Sequence, residues 1–220
     1  MADDTLLAEA DDHFHDECGV FGIFGRQDAA AIVTLGLHAL QHRGQEAAGI
    51  VSYDGSQFHV ERHVGLISDN FTKPAVIERL KGTRAIGHTR YATTGGSGLR
   101  NVQPLFAELA EGGLAIAHNG NLTNAMTVQR ALQKQGAIFS STSDTETLLH
   151  LIAFSKERDI NSRFIDAVRQ VEGAFSLVAL TSKKMIGCRD PLGIRPLVLG
   201  DLDGAWILAS ETCALDIIGA

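Results

Sequence analysis

Asp16-Glu17-Cys18-Gly19-Val20-Phe21-Gly22-Ile23 is the stretch that decides how this chain is read, because an acidic leader gives way there to an apolar strand. Residues 1–17 hold seven carboxylates (Asp3, Asp4, Glu9, Asp11, Asp12, Asp16 and Glu17) and no Lys or Arg. The chain has 26 acids against 19 bases and a net charge of −7, so the whole excess lies before Cys18. A break of this kind marks a removable segment followed by a neutral globular body. Cleavage after Glu17 would leave Cys18 with a thiol and a free amine in one residue, a compact nucleophile–base pair. The alternative is a cysteine of apolar size that merely opens a buried strand.

The rest of the composition narrows the function classes. With 220 residues, 45% hydrophobic and 20% charged, the chain suits one substantial core, and no linker or repeat divides it. No apolar stretch is long enough to span a bilayer. The leader lacks the basic start and apolar middle of a secretory signal, so a cytoplasmic location is expected. Cys18, Cys188 and Cys213 are odd in number and widely spaced, which suits a reducing compartment and neither a disulfide framework nor a metal knuckle. His38 with His42, and His13 with His15, find no third ligand at suitable spacing, so no metal site is expected. A neutral body without a long basic run argues against nucleic acid as the main partner. No phosphate-binding glycine loop of the common nucleotide folds is present.

Hydrophobic spacing predicts a strand over 19–24, a helix over 29–42 capped by Asp28, and two strands, 47–53 and 57–64, around the Asp54-Gly55 hairpin signal. A short helix follows Pro74, and a strand over 83–89 leads into a glycine-rich loop reaching about Gln103. A short strand, Leu114 to Ala117, runs into His118-Asn119-Gly120-Asn121. Asn124 is read as the cap of a helix ending near Gln135, and Ser143 with Glu146 as a capping box. A helix over 162–171 precedes strands at 174–181, 184–189, 196–200 and 205–209. The order predicts α+β layers built on mainly antiparallel sheet.

Four polar clusters follow apolar strands or open helices: Gln41–Glu46, Gly87–Thr93, His118–Asn121 and Ser143–Glu146. With Cys18 they supply every group needed to hydrolyse the side-chain amide of a small zwitterion. A thiol attacks the carbonyl, and an amide side chain with a backbone N–H holds the oxyanion. A guanidinium grips a carboxylate in a two-pronged fork, and an aspartate accepts from an ammonium. Each cluster also has an ordinary explanation. Arg90 suits an exposed strand end, Asp144 a first-turn acid, and Asn119-Gly120 a turn.

Six motifs occur in one order: Cys18-Gly-Val-Phe-Gly-Ile, Gln41-His-Arg-Gly-Gln-Glu-Ala-Ala-Gly49, Gly87-His-Thr-Arg-Tyr-Ala-Thr93, His118-Asn-Gly-Asn-Leu-Thr-Asn124, Ser143-Asp-Thr-Glu146 and Arg189-Asp-Pro-Leu-Gly-Ile-Arg-Pro196. The set closely resembles the glutaminase domain of the amidophosphoribosyltransferase family, which opens purine synthesis. The likeness covers residues 18–220 almost without interruption.

The resemblance implies a four-layer αββα sandwich of the N-terminal nucleophile hydrolase type, with residues 1–17 as an acidic propeptide. It implies Cys18 as nucleophile with its α-amine as proton acceptor, and Asn119 with the Gly120 backbone as the oxyanion hole. It implies Arg90 at the glutamine α-carboxylate with Thr93 nearby, Asp144 at the α-ammonium, and Arg43 in support. The family's phosphoribosyltransferase domain, with its magnesium, is not among these 220 residues, and no cofactor is expected within them. For a full-length chain the resemblance implies a homo-oligomer, and the long-leader branch often carries a 4Fe–4S cluster. Two further readings stay open: another class II glutamine amidotransferase, or an unprocessed module without catalysis.

Overall fold

The computed structural model describes residues 18–91 and 98–220, so the leader and Thr93 lie outside the described residues. Ten strands and seven helices follow in the order β1 (Gly19–Phe24), α1 (Ala29–Ala39), β2 (Ala47–Tyr53), β3 (Phe58–Val64), α2 (Ile67–Asn70), α3 (Pro74–Arg79), β4 (Arg84–Arg90), β5 (Leu105–Leu109), β6 (Gly112–Leu122), α4 (Ala125–Lys134), α5 (Thr145–Phe154), α6 (Ile160–Val168), β7 (Gly173–Thr181), β8 (Met185–Arg189), β9 (Val198–Leu202), β10 (Ala205–Ala209) and α7 (Cys213–Asp216). One sheet has the order β3-β2-β4-β1-β10-β9, the other β5-β6-β7-β8, and every pairing is antiparallel.

Side-chain alternation along the strands divides the core into three layers. Phe21, Ile23, Ala48, Ile50 and Ala85 face outward from the six-stranded sheet onto α1, α2, α3 and α7. Leu114, Ile116, Leu177 and Ala179 face the other way, onto α4, α5 and α6. Between the sheets lie Val20, Val51, Ile86, Ala115, Ala117, Val178 and Leu180. This is the expected αββα sandwich. Helix α1 lies close to its sheet because residue 36 has no side chain: a Cβ there would sit 2.3 Å from the Phe21 ring.

Several local expectations give way to tertiary structure. The strand read as Leu114 to Ala117 extends over Gly112–Leu122, so Asn119-Gly120 is paired strand rather than a turn. Asn119 lies opposite Ser176, and Gly120 opposite Phe175. Gly120 has φ 139°, and a Cβ would lie 2.1 Å from the Ala174 carbonyl oxygen, so only glycine fits. The α1 helix stops at Ala39 and tightens into a 3₁₀ turn over Gln41–Arg43. Asp28 adopts a left-handed conformation and makes no capping bond. Asn124 stands at the N-cap of α4 as expected, but its side chain donates to Gln170 O and accepts from Glu172 N, tying the start of α4 to the loop between α6 and β7. Strand β5 and helices α2 and α7 had no counterpart in the sequence reading.

The Ser143–Glu146 capping box does not form, because helix α5 starts two residues after Ser143. Glu146 accepts from the backbone N–H groups of Ser140 and Ser141 at 2.9 and 2.7 Å, and from their hydroxyls at 2.9 and 2.6 Å. Burial alone would raise this carboxyl's pKa, but these bonds outweigh it and hold it below the ordinary 4.5. The stability they supply is complete above pH 4.5 and is lost as pH falls through the folded-state value. Glu146→Gln should lower stability by about 2 kcal/mol at neutral pH, or roughly 4–8 °C in melting temperature. Thermal melts should show the gap from the unsubstituted protein closing as the solution is acidified.

Candidate active site

The inner faces of the two sheets change from apolar to polar at one end. Val20 pairs with His88 and Ile86 with Gly22, so the row Ile86, His88, Arg90 on β4 runs beside the start of β1. Opposite, Ala115, Ala117 and Asn119 form the same row on β6, and Ser176 follows Val178 on β7. A cleft of about 410 Å³ opens where the apolar row ends, lined by Cys18, His88, Arg90, His118, Gly120 and Asp144 among others.

Cys18 immediately precedes β1 and has φ 66°, a left-handed conformation uncommon for a side-chain-bearing residue. Its N–H donates to Arg43 O at 2.8 Å, and its carbonyl accepts from Arg43 Nε at 2.7 Å. The Cys18 thiol lies 3.7 Å from the Tyr91 carbonyl. Arg43 is 1% exposed, and its guanidinium is ion-paired with Glu211. The neighbouring Gly44 packs on the Arg90 backbone, where a Cβ would come within 2.7 Å of the carbonyl carbon. The Gln41–Glu46 cluster is therefore a bracket around both Cys18 and the end of β4.

Asn119 is fully buried, and among the described residues neither its side-chain oxygen nor its side-chain nitrogen has a hydrogen-bond partner. Successive N–H groups of a strand point to alternate edges. Those of His118 and Leu122, on the edge away from β7, end on side chains of the cleft: His118 N donates to Gln103 Oε1 at 2.7 Å and Leu122 N to Asp144 Oδ2 at 2.9 Å. The Gly120 N–H shares that edge and lies between them. Gly120 lines the cleft, and the amide of the preceding residue, Asn119, is buried beside it.

Asp144 sits at the mouth of α5 and faces β6. Burial would raise its pKa, but the nearby His118, 3.5 Å away, and the bond from Leu122 lower it on balance. It is therefore a carboxylate at neutral pH; it stands at the N-cap position of α5 rather than in the first turn, and its side chain bonds β6 instead of capping the helix. His118 also bonds Thr145 Oγ1 at 3.1 Å through Nδ1. His88 spans the two sheets, with Nε2 3.1 Å from His118 O. Burial and the adjacent His118 push its pKa down to about 3, so it is a neutral imidazole at ordinary pH and serves as a strut.

The structure gathers Cys18, Arg90, Gly120 and Asp144 around one cleft, with Asn119 beneath it and Arg43 behind Cys18. It adds Tyr91, Asn101, Gln103 and Arg195, which the sequence reading did not single out. Arg195 lies in the quoted Arg189–Pro196 run, whose loop is organised by Asp190. That carboxylate accepts from the N–H groups of Phe175, Leu192, Ile194 and Arg195. Asn101 locks the opposite rim through bonds of 2.8 and 3.0 Å to Thr142. Among the described residues no three His, Cys, Asp or Glu side chains converge as a metal site requires.

Residues 88–216 match the family model described as a glutamine amidotransferase domain. An amidophosphoribosyltransferase of Rhizobium etli is 64% identical over 95% of this chain and 42% of its own length. A chloroplastic amidophosphoribosyltransferase of Glycine max is 49% identical over 98% of this chain and 38% of its own. The chain thus spans about two fifths of the length of these curated relatives. Among solved structures, the glutamine phosphoribosylpyrophosphate amidotransferase of B. subtilis, complexed with ADP and GMP, superposes with TM-score 0.87. The two share 45% identity, over 92% of this chain and 44% of that one. A class-II glutamine aminotransferase domain protein of Silicibacter pomeroyi, 13% identical with TM-score 0.60, shares the fold. Matched by its family model over the greater part of its length, this chain belongs to the glutamine amidotransferase domain family.

Proposed function

We propose that the domain hydrolyses the side-chain amide of glutamine and that the ammonia serves amidophosphoribosyl transfer in a longer chain. The observation that carries this reading is the pairing of Cys18, at the start of a central strand, with a buried and unpartnered Asn119 amide beside the same cleft. In this reading residues 1–17 are a propeptide, and their removal frees the Cys18 amine. That amine takes the thiol proton as sulfur attacks the amide carbon. The Asn119 amide N–H and the Gly120 N–H hold the resulting oxyanion. As the tetrahedral adduct collapses, the C–N bond breaks, the leaving nitrogen takes the proton back from the Cys18 ammonium, and ammonia departs. A water then cleaves the thioester, releasing glutamate and restoring the thiol.

Arg90, with Thr93, receives the substrate α-carboxylate, and Asp144 the α-ammonium. Arg43 holds Cys18 from behind. The acceptor half of the reaction, phosphoribosylamine formation from phosphoribosylpyrophosphate, belongs to a phosphoribosyltransferase domain with its magnesium. A 4Fe–4S cluster and a homo-oligomeric assembly are properties of that longer protein. No helix among the described residues is long and apolar enough to cross a membrane. The proposed location is cytoplasmic.

The direct test compares protein beginning at Cys18 with protein that retains residues 1–17. While Glu17 is attached, the Cys18 nitrogen is an amide and cannot accept a proton at neutral pH. Only the shortened form should release ammonia from glutamine, and intact mass should identify it. Equal turnover by the form that retains its leader would sink the reading. Cys18→Ser should lower turnover by orders of magnitude, because an alcohol is a weaker nucleophile without a dedicated base.

Asn119→Ala should lower kcat by about two to three orders of magnitude, the usual effect of deleting one oxyanion donor. KM should change little, since the donor acts mainly in the transition state. A raised KM with kcat intact would move Asn119 from catalysis to substrate binding.

Arg90→Lys and Asp144→Asn should each lower kcat/KM by roughly ten- to a hundredfold, the loss of a hydrogen bond to a charged group. Steady-state kinetics unchanged within about twofold, alongside a lower melting temperature, would give these residues a structural role instead.

A further inference from the structure

Glu211 lies 168 residues from Arg43 in sequence and carries no role in the scheme above, yet it completes the bracket behind Cys18. Arg43 holds the Cys18 peptide at both ends: its carbonyl takes the Cys18 N–H and its Nε donates to the Cys18 carbonyl. A buried guanidinium needs a counter-charge to stay in one place. Glu211 Oε1 supplies it, through the terminal nitrogen next to the one that grips Cys18. The second carboxylate oxygen lies 3.2 Å from His42 Nε2 and 3.6 Å from the Cys213 thiol. Burial raises the pKa of Glu211, but the bond and charge of Arg43 outweigh it, so Glu211 is ionised at neutral pH.

The backbone around Glu211 is registered to the same strand. Ser210 N donates to Val20 O at 3.0 Å, and Val20 N donates to Ser210 Oγ at 2.9 Å. Glu211 is thus fixed relative to β1 two residues after the cysteine, and its carboxylate reaches back to the Arg43 head group. The chain of contacts runs from Glu211 to Arg43 to the Cys18 carbonyl, with no step through the substrate.

We infer that Glu211 is a positioning residue that, through Arg43, sets the direction of the Cys18 thiol and amine. The inference rests on the glutaminase reading of the site. Misplacing a reacting group by about 1 Å can lower rate a hundredfold without touching substrate contacts. Loss of Glu211 should therefore act on kcat and leave glutamine capture by Arg90 and Asp144 unaltered.

The experiment uses protein beginning at Cys18 and measures two things: glutamine hydrolysis, and alkylation of Cys18 by iodoacetamide as a function of pH. Glu211→Gln should lower kcat by about ten- to a hundredfold with KM within about threefold, and should displace the alkylation midpoint. Glu211→Asp, which keeps the charge, should recover part of the loss. The double variant Arg43→Gln with Glu211→Gln leaves no buried unpaired charge, which guards against unfolding, and it should be no slower than Arg43→Gln alone. The inference is overturned if Glu211→Gln keeps kcat within about twofold, if its loss lies in KM, or if the two single losses multiply in the double variant. If the unsubstituted protein releases no ammonia, the glutaminase reading fails instead. The alkylation midpoint then decides the positioning claim separately, and an unmoved midpoint overturns it.

Discussion

The whole arrangement depends on two antiparallel sheets sharing one buried row of inner-facing side chains. Because side chains alternate at every residue, each strand that supplies an apolar group to this layer supplies the next one two residues on. On β4 the row passes from Ile86 to His88 to Arg90, and on β6 from Ala115 to Ala117 to Asn119. The same pleat that packs the centre therefore delivers polar groups to its end, and a one-residue slip would turn all of them away. Nine paired positions between β6 and β7 make such a slip costly.

Carboxylates do much of the local building around the cleft. Asp190 gathers four backbone N–H groups, Glu146 gathers two N–H groups and two hydroxyls, and Asp144 takes one N–H while keeping its other oxygen near His118. A charged acceptor holds several donors more firmly than neutral groups would. Loops with little apolar surface of their own are held to the rim in this way. The consequence is a rim whose order depends on ionised acids, whereas the layers beneath depend on apolar contact.

Much of this was legible in the sequence because it is local or periodic. The apolar run after Cys18, the Asp54-Gly55 hairpin and the terminal strands all lie close to where their spacing put them. What failed shares one cause. Asp28 and Asn124 do stand at the N-cap positions of α1 and α4, and Ser143 just before that of α5, yet at none of the three starts does the N-cap side chain make a capping bond, and Asn124 serves a distant loop. Asn119-Gly120 has turn chemistry, and pairing with β7 overrode it. Glu211 and Arg43 illustrate the limit most plainly, because no pattern within either segment states that they meet. Gln103 carried no signal, and Arg195 stood in a quoted run without a role, for the same reason: their place in the cleft comes from chain crossings.

The unpartnered Asn119 amide has a consequence for how the domain would evolve in the laboratory. A buried polar group without a partner costs roughly 1–3 kcal/mol of folding free energy, and among the described residues neither end of the Asn119 amide has one. An apolar residue of similar volume at this position would relieve that deficit and fit the neighbouring Ala117 and Val178 layer. Selection for heat resistance alone would therefore favour discarding Asn119, and thermal screens of this fold would enrich sturdier proteins with an altered cleft.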